Sequence, residues 1–141
     1  MQRQHWLLVR GSAGHLLPDR VDAASLCTHS STRRPNLQKG DLAVCYASGW
    51  QTIFAIVEVV GDPENDPDRE RWRWRIPIRP LVAVATLSEA PPVEAAGVFP
   101  RSLGRHSYIR LTPEQFEAAE EALSASWRPP PQSGDAASGR R

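Results

Sequence analysis

The sequence predicts a fold of the α+β class that is mainly β, a small closed β-barrel of about five to six strands with short flanking helices and a C-terminal helix. Short segments rich in β-branched and aromatic residues recur between glycine and proline turn signals, and only one segment carries a strong helix start. The length of 141 residues fits one domain. Folding of such a chain buries roughly two-thirds of its unfolded surface, so it can form a core without disulfide bonds or a structural metal ion.

The first predicted strand is His5–Arg10, which is apolar enough to lie in the centre of a barrel. A glycine-rich segment at residues 11–14 ends it. A hairpin is predicted next, with strands at Leu42–Tyr46 and Thr52–Val60 joined by a Ser-Gly corner that carries Trp50. The β-branched density of the second strand favours a buried strand.

A long strand is predicted at Trp72–Val84 because large apolar side chains alternate with arginines in its first half. Pro77 and Pro80 interrupt a regular ladder, so this strand is expected at a sheet edge or bent by a bulge. The acidic loop at residues 62–71 is expected to pair locally with the basic face of the strand. A last short strand is predicted at Ser107–Leu111. The alternation places Trp72, Trp74, Ile76 and Ile78 on one face and Arg73, Arg75 and Arg79 on the other.

The strongest helix signal begins at Thr112. This residue is the predicted N-cap, Pro113 takes the first helical position, and Gln115 completes a capping box. Apolar residues follow with helical spacing. The domain is expected to span residues 1–127, and residues 128–141, rich in proline, glycine, serine and arginine, are expected to form a disordered tail.

Two shorter segments are predicted to be helical. They are Val21–Leu26, with Asp19 or Asp22 as a possible N-cap, and Val93–Gly97. Between the first of them and the hairpin, Cys27–Gln38 is polar and is interpreted as a loop that ends in a short turn.

Charge and composition limit the classes of function. Tight, non-specific binding to duplex DNA needs many phosphate contacts, and a net charge of +1 supplies no global basic field, although a local basic patch is compatible with it. The apolar run Trp6–Val9 is far below the ~18 residues of a spanning helix, so a cytoplasmic protein without a membrane partner is expected. Cys27 and Cys45 are expected to be reduced, buried thiols.

No catalytic or metal-binding motif stands out in the sequence. The four histidines lack metal-ligand spacing, and no nucleophile elbow, P-loop or dinucleotide fingerprint occurs. Cys27 and His29 lie two residues apart, but alternating side chains make a catalytic thiol–imidazole pair unconvincing. We therefore expect no enzymatic activity, no cofactor and no metal ion.

Five motifs in a fixed order carry a resemblance to a known family. They are HWLLVR, KGDLAVCY, FAIVEVV, WRWRIPIRPL and LTPEQFEAAEEAL. In this order the chain resembles the EVE domain, a small β-barrel of the PUA-like superfamily that is related in fold to the YTH and ASCH domains. The resemblance covers about Trp6 to Leu123. The chain departs from it at VRGSAG, where many members carry Lys-Ser-Glu-Pro, and at CTHSSTRRPNLQ, where many carry a Trp-rich Arg-Asn loop.

The resemblance implies a non-catalytic nucleic-acid-binding module that takes a flipped, modified base of DNA or RNA into an aromatic pocket. Stacking of a base on an aromatic ring contributes ~1–3 kcal/mol, and the flat faces on offer are Trp6, Tyr46, Trp50, Trp72 and Trp74. The candidates for the base pocket are Trp6, Thr28, His29, Tyr46, Ser48, Trp50, Trp74 and Ser102. The candidates for phosphate contacts are Arg33, Arg34, Arg101, Arg105 and His106.

Two alternatives stay open at the level of sequence. PUA-like barrels also serve as RNA-binding modules in RNA modification and translation. The second alternative, which the low net charge favours, is a pocket for a free nucleoside or another small heterocycle. The identity of the base and the oligomeric state are not encoded in any motif of the chain.

Overall fold

The computed structural model describes residues 3–12 and 14–126. The predicted C-terminal tail lies outside these residues. The described elements form one curled sheet with a single α-helix packed against it. The strands are β1 His5–Arg10, β2 Thr28–Ser31, β3 Leu42–Ala47, β4 Thr52–Val59, β5 Glu64–Asn65, β6 Trp74–Ala83 and β7 Tyr108–Leu111, and the helix is α1 Pro113–Ser126. Single 3-10 turns lie at Ala23–Ser25, Val93–Ala96 and Pro100–Leu103.

The sheet has the strand order β2-β6-β4-β3-β1-β7, with the two-residue β5 paired to β6. All pairs are antiparallel except β1 and β3, which run parallel. A parallel pair needs a crossover connection, and here the segment that holds Ala23–Ser25 and β2 supplies it. The six longer strands and the C-terminal helix confirm the predicted fold class.

The curl of the sheet brings its first and last strands together at Ser107, the residue before β7. The side-chain nitrogen Nε2 of His29 lies 2.8 Å from the carbonyl oxygen of Ser107, and the Ser31 and Ser107 hydroxyl oxygens are 3.3 Å apart. The same carbonyl accepts from the backbone N–H of Val9 at 2.9 Å. The seam between β2 and β7 is therefore held by side chains and not by a backbone ladder.

Polar side chains explain why β2 was predicted as a loop. His29 and Ser31 are buried, whereas their neighbours Thr28 and Ser30 are partly exposed, so the strand alternates with its polar residues pointing inward. Sequence periodicity looks for apolar residues on the buried face, and this strand has none. The prediction of a continuous loop over Cys27–Gln38 was wrong for Thr28–Ser31.

The long strand β6 is shorter than predicted and lies between β2 and β4 rather than at an edge. Its partners divide it, since β2 pairs with Trp74–Pro77 and β4 pairs with Ile78–Ala83. The register opposite β4 shifts between Ile56 and Val57, so the predicted bulge is present. Ile76 and Ile78 are buried and the arginines exposed as the alternation predicts, but Trp72 lies outside the strand.

The helix α1 begins as the sequence predicts. The Gln115 backbone N–H donates to the Thr112 side-chain oxygen at 3.1 Å, and the Thr112 backbone N–H donates to the Gln115 side-chain oxygen at 2.9 Å. These two bonds are the reciprocal pair of a capping box. Phe116, Ala119 and Leu123 are buried on its inner face. Asp22 caps the first 3-10 turn through a bond from the Ala24 backbone N–H.

Two expectations about charge and thiols need correction. Cys45 is buried, but Cys27 is exposed, because it lies between the 3-10 turn and β2 rather than inside the sheet. The acidic loop does not neutralise the basic face of β6, since the only ion pair within the described residues joins Arg79 to Glu58 on β4. Within those residues, no helix has both the length and the apolar character to cross a bilayer.

Candidate functional site

A polar cluster lies where β1 ends and β2 begins. The Arg10 guanidinium donates to the carbonyl oxygens of Thr28 at 2.6 Å and Ser25 at 3.2 Å. Its Nη1 also lies 3.5 Å from Nδ1 of His29. Arg10 is partly buried and forms no ion pair with any carboxylate of the described chain. A guanidinium has five N–H donors in a fixed fork, and two carbonyls do not occupy them all.

His29 is held in one tautomer by its neighbours. A carbonyl oxygen only accepts, so the nitrogen facing Ser107 carries the proton, and the other nitrogen is free to accept from Arg10. Only 3% of His29 is exposed. Burial first, and then the positive charge of Arg10, lowers the pKa of His29 from 6.5 to about 4, although the bond to Ser107 opposes the shift. The imidazole is therefore neutral near pH 7.

A cavity of about 380 Å³ opens beside this cluster. Its volume lies within the range of ligand sites in proteins, ~300–1,000 Å³. Arg10 and Leu17 also line a smaller cavity of about 70 Å³ that reaches Phe54 and Leu87. The larger cavity is lined by Val9, Arg10, Gly11, Ser12, Leu17, Ser25, Thr28, His29, Ser30 and Trp72.

Trp72 supplies the one aromatic ring of this cavity. Its backbone φ is +57°, a left-handed conformation that bulky residues rarely adopt. The residue is 40% exposed, and the Arg71 guanidinium carbon lies 5.8 Å from the ring centroid. Backbone strain in such regions costs of order 1–3 kcal/mol and concentrates at functional sites. The left-handed backbone thus occurs at a tryptophan that lines the cavity.

Trp50 supports the cavity from behind. Its indole N–H donates to the carbonyl oxygen of Leu17 at 2.8 Å, and Leu17 lines the cavity. A Cβ at Gly49, whose φ is +87°, would lie 2.3 Å from Cδ1 of Leu16. The positive φ favours glycine at this corner, and a larger residue would also displace the end of the exposed Leu16 side chain. Trp50 fixes the cavity wall without reaching the cavity itself.

Among the residues predicted for the base pocket, only Thr28 and His29 line the cavity. Trp6 is 6% exposed and lies in the core, where its indole N–H donates to Oδ2 of Asp41 at 2.9 Å and its ring meets Tyr108 edge-on at 5.6 Å. Tyr46 is buried on β3. Its pKa is raised by burial and then by the negative charge of Glu94.

The remaining pocket candidates are dispersed. Ser48 lies in the hairpin turn, where its backbone N–H donates to the Arg10 carbonyl at 2.8 Å. Trp74 begins β6 and is partly buried. Ser102 lies in the exposed 3-10 turn before β7 and donates to the Phe99 carbonyl at 2.7 Å. None of the three lines the cavity.

All five predicted phosphate contacts are exposed. Arg34 lies over the Trp74 ring, with its guanidinium carbon 5.2 Å from the centroid, and lines a groove described below. Arg33 lies two residues after the end of β2. Arg101, Arg105 and His106 lie at or just after the 3-10 turn that precedes β7 and line none of the cavities described here.

Arg10 is the site residue that sequence reasoning missed. A charged side chain at the end of an apolar strand, just before a glycine, was the available signal. Trp72 was considered as a flat face but assigned to a strand, because nothing in the sequence reveals its left-handed backbone. Both residues depend on contacts with distant segments.

The cavity can hold a flat, polar ligand. It combines one aromatic face with a cation, a neutral imidazole and the hydroxyls of Thr28 and Ser30. Across the described part of the chain, no three side chains of the metal-ligating types come together. The indole can stack on a heterocycle, and the spare guanidinium N–H groups and the two hydroxyls can hydrogen-bond to its edge.

Comparison with known proteins finds similarity in structure but not in sequence. No family profile matches the sequence, and no curated protein matches it. Among solved structures, the chain is similar to protein Atu2648 from Agrobacterium tumefaciens, with a TM-score of 0.57, 18% identity and coverage of 94% of this chain and 99% of that one. A hypothetical protein from Leishmania major gives a TM-score of 0.59, 13% identity and coverage of 90% and 98%.

The human THYN1 protein, solved in complex with DNA containing 5-methylcytosine, is also similar. Its TM-score is 0.52 at 15% identity, over 90% of this chain and 99% of that one. Identities this low establish the fold alone, and membership of the EVE family stays a prediction. The described residues thus form a small curled β-sheet fold with one packed helix and a ligand-sized cavity where β1 meets β2.

Proposed function

We propose that this protein is a non-catalytic nucleic-acid-binding module that takes one base into the cavity between β1 and β2. In the preferred ligand this base is modified. The observation that carries the proposal is a cavity of about 380 Å³ that Trp72, on a left-handed backbone, lines together with the Arg10–His29 cluster. A base extruded from its stack needs a flat face and a few directed polar groups, and the cavity combines both.

Recognition in this proposal divides between the ring and the cluster. Trp72 stacks on the base, a contact that contributes ~1–3 kcal/mol. Arg10, fixed by two carbonyls, directs its spare N–H groups at acceptor atoms on the base edge. The hydroxyls of Thr28 and Ser30 can donate or accept, so they suit an edge with mixed character.

The likeness to THYN1 gives the first ligand to test. That protein was solved with DNA containing 5-methylcytosine, and the fold is shared. For this chain a methyl group on the base would add about 0.8 kcal/mol if an apolar wall covers it. Leu17 and Val9 provide apolar surface in the cavity.

The absence of catalysis is part of the proposal. Both ring nitrogens of His29 are engaged, by Ser107 and by Arg10, so neither is free to act as a general base. Burial raises the pKa of the Cys45 thiol to about 11, with Arg10 opposing the shift, so the reactive thiolate is scarce near pH 7.

A free nucleoside or other small heterocycle is the second candidate ligand. The net charge of +1 favours it, because a nucleic-acid partner gains affinity from phosphate contacts that a nucleoside lacks. The two candidates differ in salt dependence. Affinity for an oligonucleotide falls as salt rises, whereas affinity for a nucleoside does not.

The test is binding of labelled single-stranded 12-mers, measured by fluorescence anisotropy at two salt concentrations. One central base is cytosine, 5-methylcytosine, 5-hydroxymethylcytosine, adenine or N6-methyladenine. We expect one modified base to be preferred and Trp72→Ala to weaken that binding by roughly 5- to 150-fold, the equivalent of one lost stack. Phe99→Ala, which removes an exposed aromatic ring that does not line the cavity, is the matched control.

Three outcomes decide between the candidates. Selective binding that Trp72→Ala abolishes supports the base reader. Quenching of tryptophan fluorescence by free nucleosides, without oligonucleotide binding at low salt, supports the small-ligand alternative. Oligonucleotide binding that is unaffected by Trp72→Ala contradicts the assignment of the cavity.

A further inference from the structure

A second polar surface lies beyond the far end of β2. It is a groove of about 690 Å³ lined by residues 34–39, Asp62 and Pro63. Arg34 and Lys39 are its exposed cations, and Asp62 is its one acidic side chain. The site already described does not use this groove.

The strand β2 connects the cavity to the groove. Thr28 lines the cavity, Ser31 ends the strand, and Arg34 follows three residues later. With a rise of ~3.3 Å per residue, the four residues of β2 cover about 10 Å. A polymer whose base lies in the cavity can therefore reach the groove within a few nucleotides.

Unpaired arginines flank this path. Arg75 pairs in register with Ser30 across β2 and β6, and Arg73 precedes β6 by one residue. Both are exposed, and the one ion pair in residues 3–12 and 14–126 involves Arg79 instead. Glu64 on β5 lies opposite Arg75 in register, but no ion pair joins the two among the described residues, so both arginines can contact an anion that follows this path.

Hydrogen bonding and burial of neighbouring residues fix the backbone of the groove. The Gln38 backbone N–H donates to Oδ2 of Asp41 at 3.0 Å, and the side chains of Pro35 and Leu37 are buried. At the rim, the Arg34 guanidinium carbon is 5.2 Å from the centroid of the Trp74 ring. Cation–π contact limits the freedom of that side chain, so less order is lost when it binds a ligand.

We propose that this groove binds the phosphodiester backbone of a single-stranded nucleic-acid segment that flanks the base in the cavity. Arg34 and Lys39 contact phosphates, and Arg73 and Arg75 line the approach. The identity of the polymer rests on the proposed function. A basic groove with a neighbouring aromatic ring is the arrangement by which proteins hold single strands, and the low net charge argues against broad duplex contacts.

Asp62 gives the proposal a prediction of opposite sign. Its carboxylate shares the groove with Arg34 and Lys39 and repels a phosphate. Removal of that charge should strengthen binding, whereas removal of the Arg34 charge should weaken it. A merely structural groove would show neither effect on affinity. Arg101 is also exposed and is a phosphate candidate from the sequence, but it lines none of these cavities, so this proposal expects its substitution to leave affinity unchanged.

The experiment uses the full chain and two 5′-fluorescein-labelled 12-mers, oligo-dT and the same length with one 5-methylcytosine. Anisotropy titrations at several salt concentrations give the dissociation constant and its salt slope. We expect Arg34→Gln to weaken both 12-mers about fivefold at 0.1 M salt and to reduce the slope by roughly 0.7, the value for one single-strand phosphate contact. Asp62→Asn should tighten both, and Arg101→Gln should leave both unchanged.

Titration with 5-methyl-2′-deoxycytidine, followed by tryptophan fluorescence, separates the groove from the cavity. If the nucleoside does not bind but the oligo-dT results hold, the groove is supported and the base assignment fails. Equal effects of Arg34→Gln and Arg101→Gln, or no oligo-dT binding at low salt, overturn the groove. Urea unfolding confirms that each variant is folded.

Discussion

The two ends of β1 carry buried polar groups of contrasting kinds. At the start of the strand, Asp41 is 3% exposed and accepts from the backbone N–H groups of Gln4 and Gln38 and from the indole of Trp6, all at 2.9–3.0 Å. At the other end, Arg10 and His29 meet beside an open cavity, without a carboxylate partner among the described residues. The first cluster has its partners within the protein. The second keeps donors free for a ligand.

The difference in hydrogen bonding between the two clusters indicates which one is the candidate ligand-binding site. A fully bonded buried group stabilises the fold and is costly to disturb. A partly bonded group beside a cavity retains the capacity to recognise something else. Trp6, the aromatic residue of the first motif in the family resemblance, belongs to the first cluster, and Trp72 belongs to the second.

The largest effect on stability is expected for Asp41→Ala, which removes the acceptor of the first cluster. The change leaves the indole N–H and two backbone N–H groups without their acceptor, and each unsatisfied buried donor costs about 1–3 kcal/mol. We expect the free energy of unfolding to fall by about 3 kcal/mol or more, measured by urea denaturation. Asp62→Asn, which changes an exposed carboxylate, should stay within about 0.5 kcal/mol. A loss below that of one hydrogen bond in Asp41→Ala would contradict its structural role.

A second prediction concerns pH. The pKa of His29 is about 4 in the folded protein and 6.5 as its ordinary value, so the unfolded chain binds more protons between these values. Stability therefore rises with pH across this window and is lost as the pH falls. Linkage predicts a loss of about 2 kcal/mol from this residue between about pH 7.5 and 5.

His29→Gln is the matched variant for this measurement, because an amide retains a donor for Ser107 but does not titrate. Urea denaturation at both pH values should show a smaller pH dependence for the variant by the stated amount. Identical pH dependence in the two proteins would show that His29 is not buried in its neutral form.

A third prediction uses the strain at Trp72. Alanine is normally preferred to glycine by ~0.5–1 kcal/mol inside regular structure. At a φ of +57° the order should reverse, since left-handed backbone costs a residue with a Cβ roughly 1–2 kcal/mol. We expect Trp72→Gly to be more stable than Trp72→Ala by about 1 kcal/mol in thermal or urea unfolding. Greater stability of the alanine variant would remove strain as an argument for the site.

The smallest effect is expected for a variant that tests the electrostatic interaction between Arg10 and His29 in the second cluster. Arg10→Met removes the positive charge that is the second cause of the lowered pKa of His29, but leaves the first cause, burial. The pKa should rise above 4 and remain below 6.5, as followed by NMR titration of the imidazole. An unchanged pKa would indicate that the guanidinium does not face the ring.

The parts of the fold that depend on local signals were predictable. The capping box at Thr112 and Gln115 and the hairpin are written in adjacent residues. β2 was missed because its buried residues, His29 and Ser31, are polar and gain their partners from Ser107, more than seventy positions away. A pattern of hydrophobicity contains no information about such a partner.

The candidate site was predictable only in part for a related reason. Thr28 and His29 were identified as short polar groups near the pocket, and both line the cavity. The sequence could not tell Trp6 from Trp72, since both are tryptophans near strand ends. Only the tertiary structure shows that one ring is bonded to Asp41 and the other is held in a left-handed backbone at the cavity wall.

The place of β1 in the sheet has a consequence for synthesis of the chain. This strand lies between β3 and β7, so its second neighbour is made only when Leu111 has been added. Until then the apolar segment Trp6–Val9 presents an unpaired edge, the kind of template on which chains aggregate. Long-range pairing of this kind also slows folding. A ribosome-bound chain therefore cannot complete its barrel early, and its first strand needs protection until its last strand emerges.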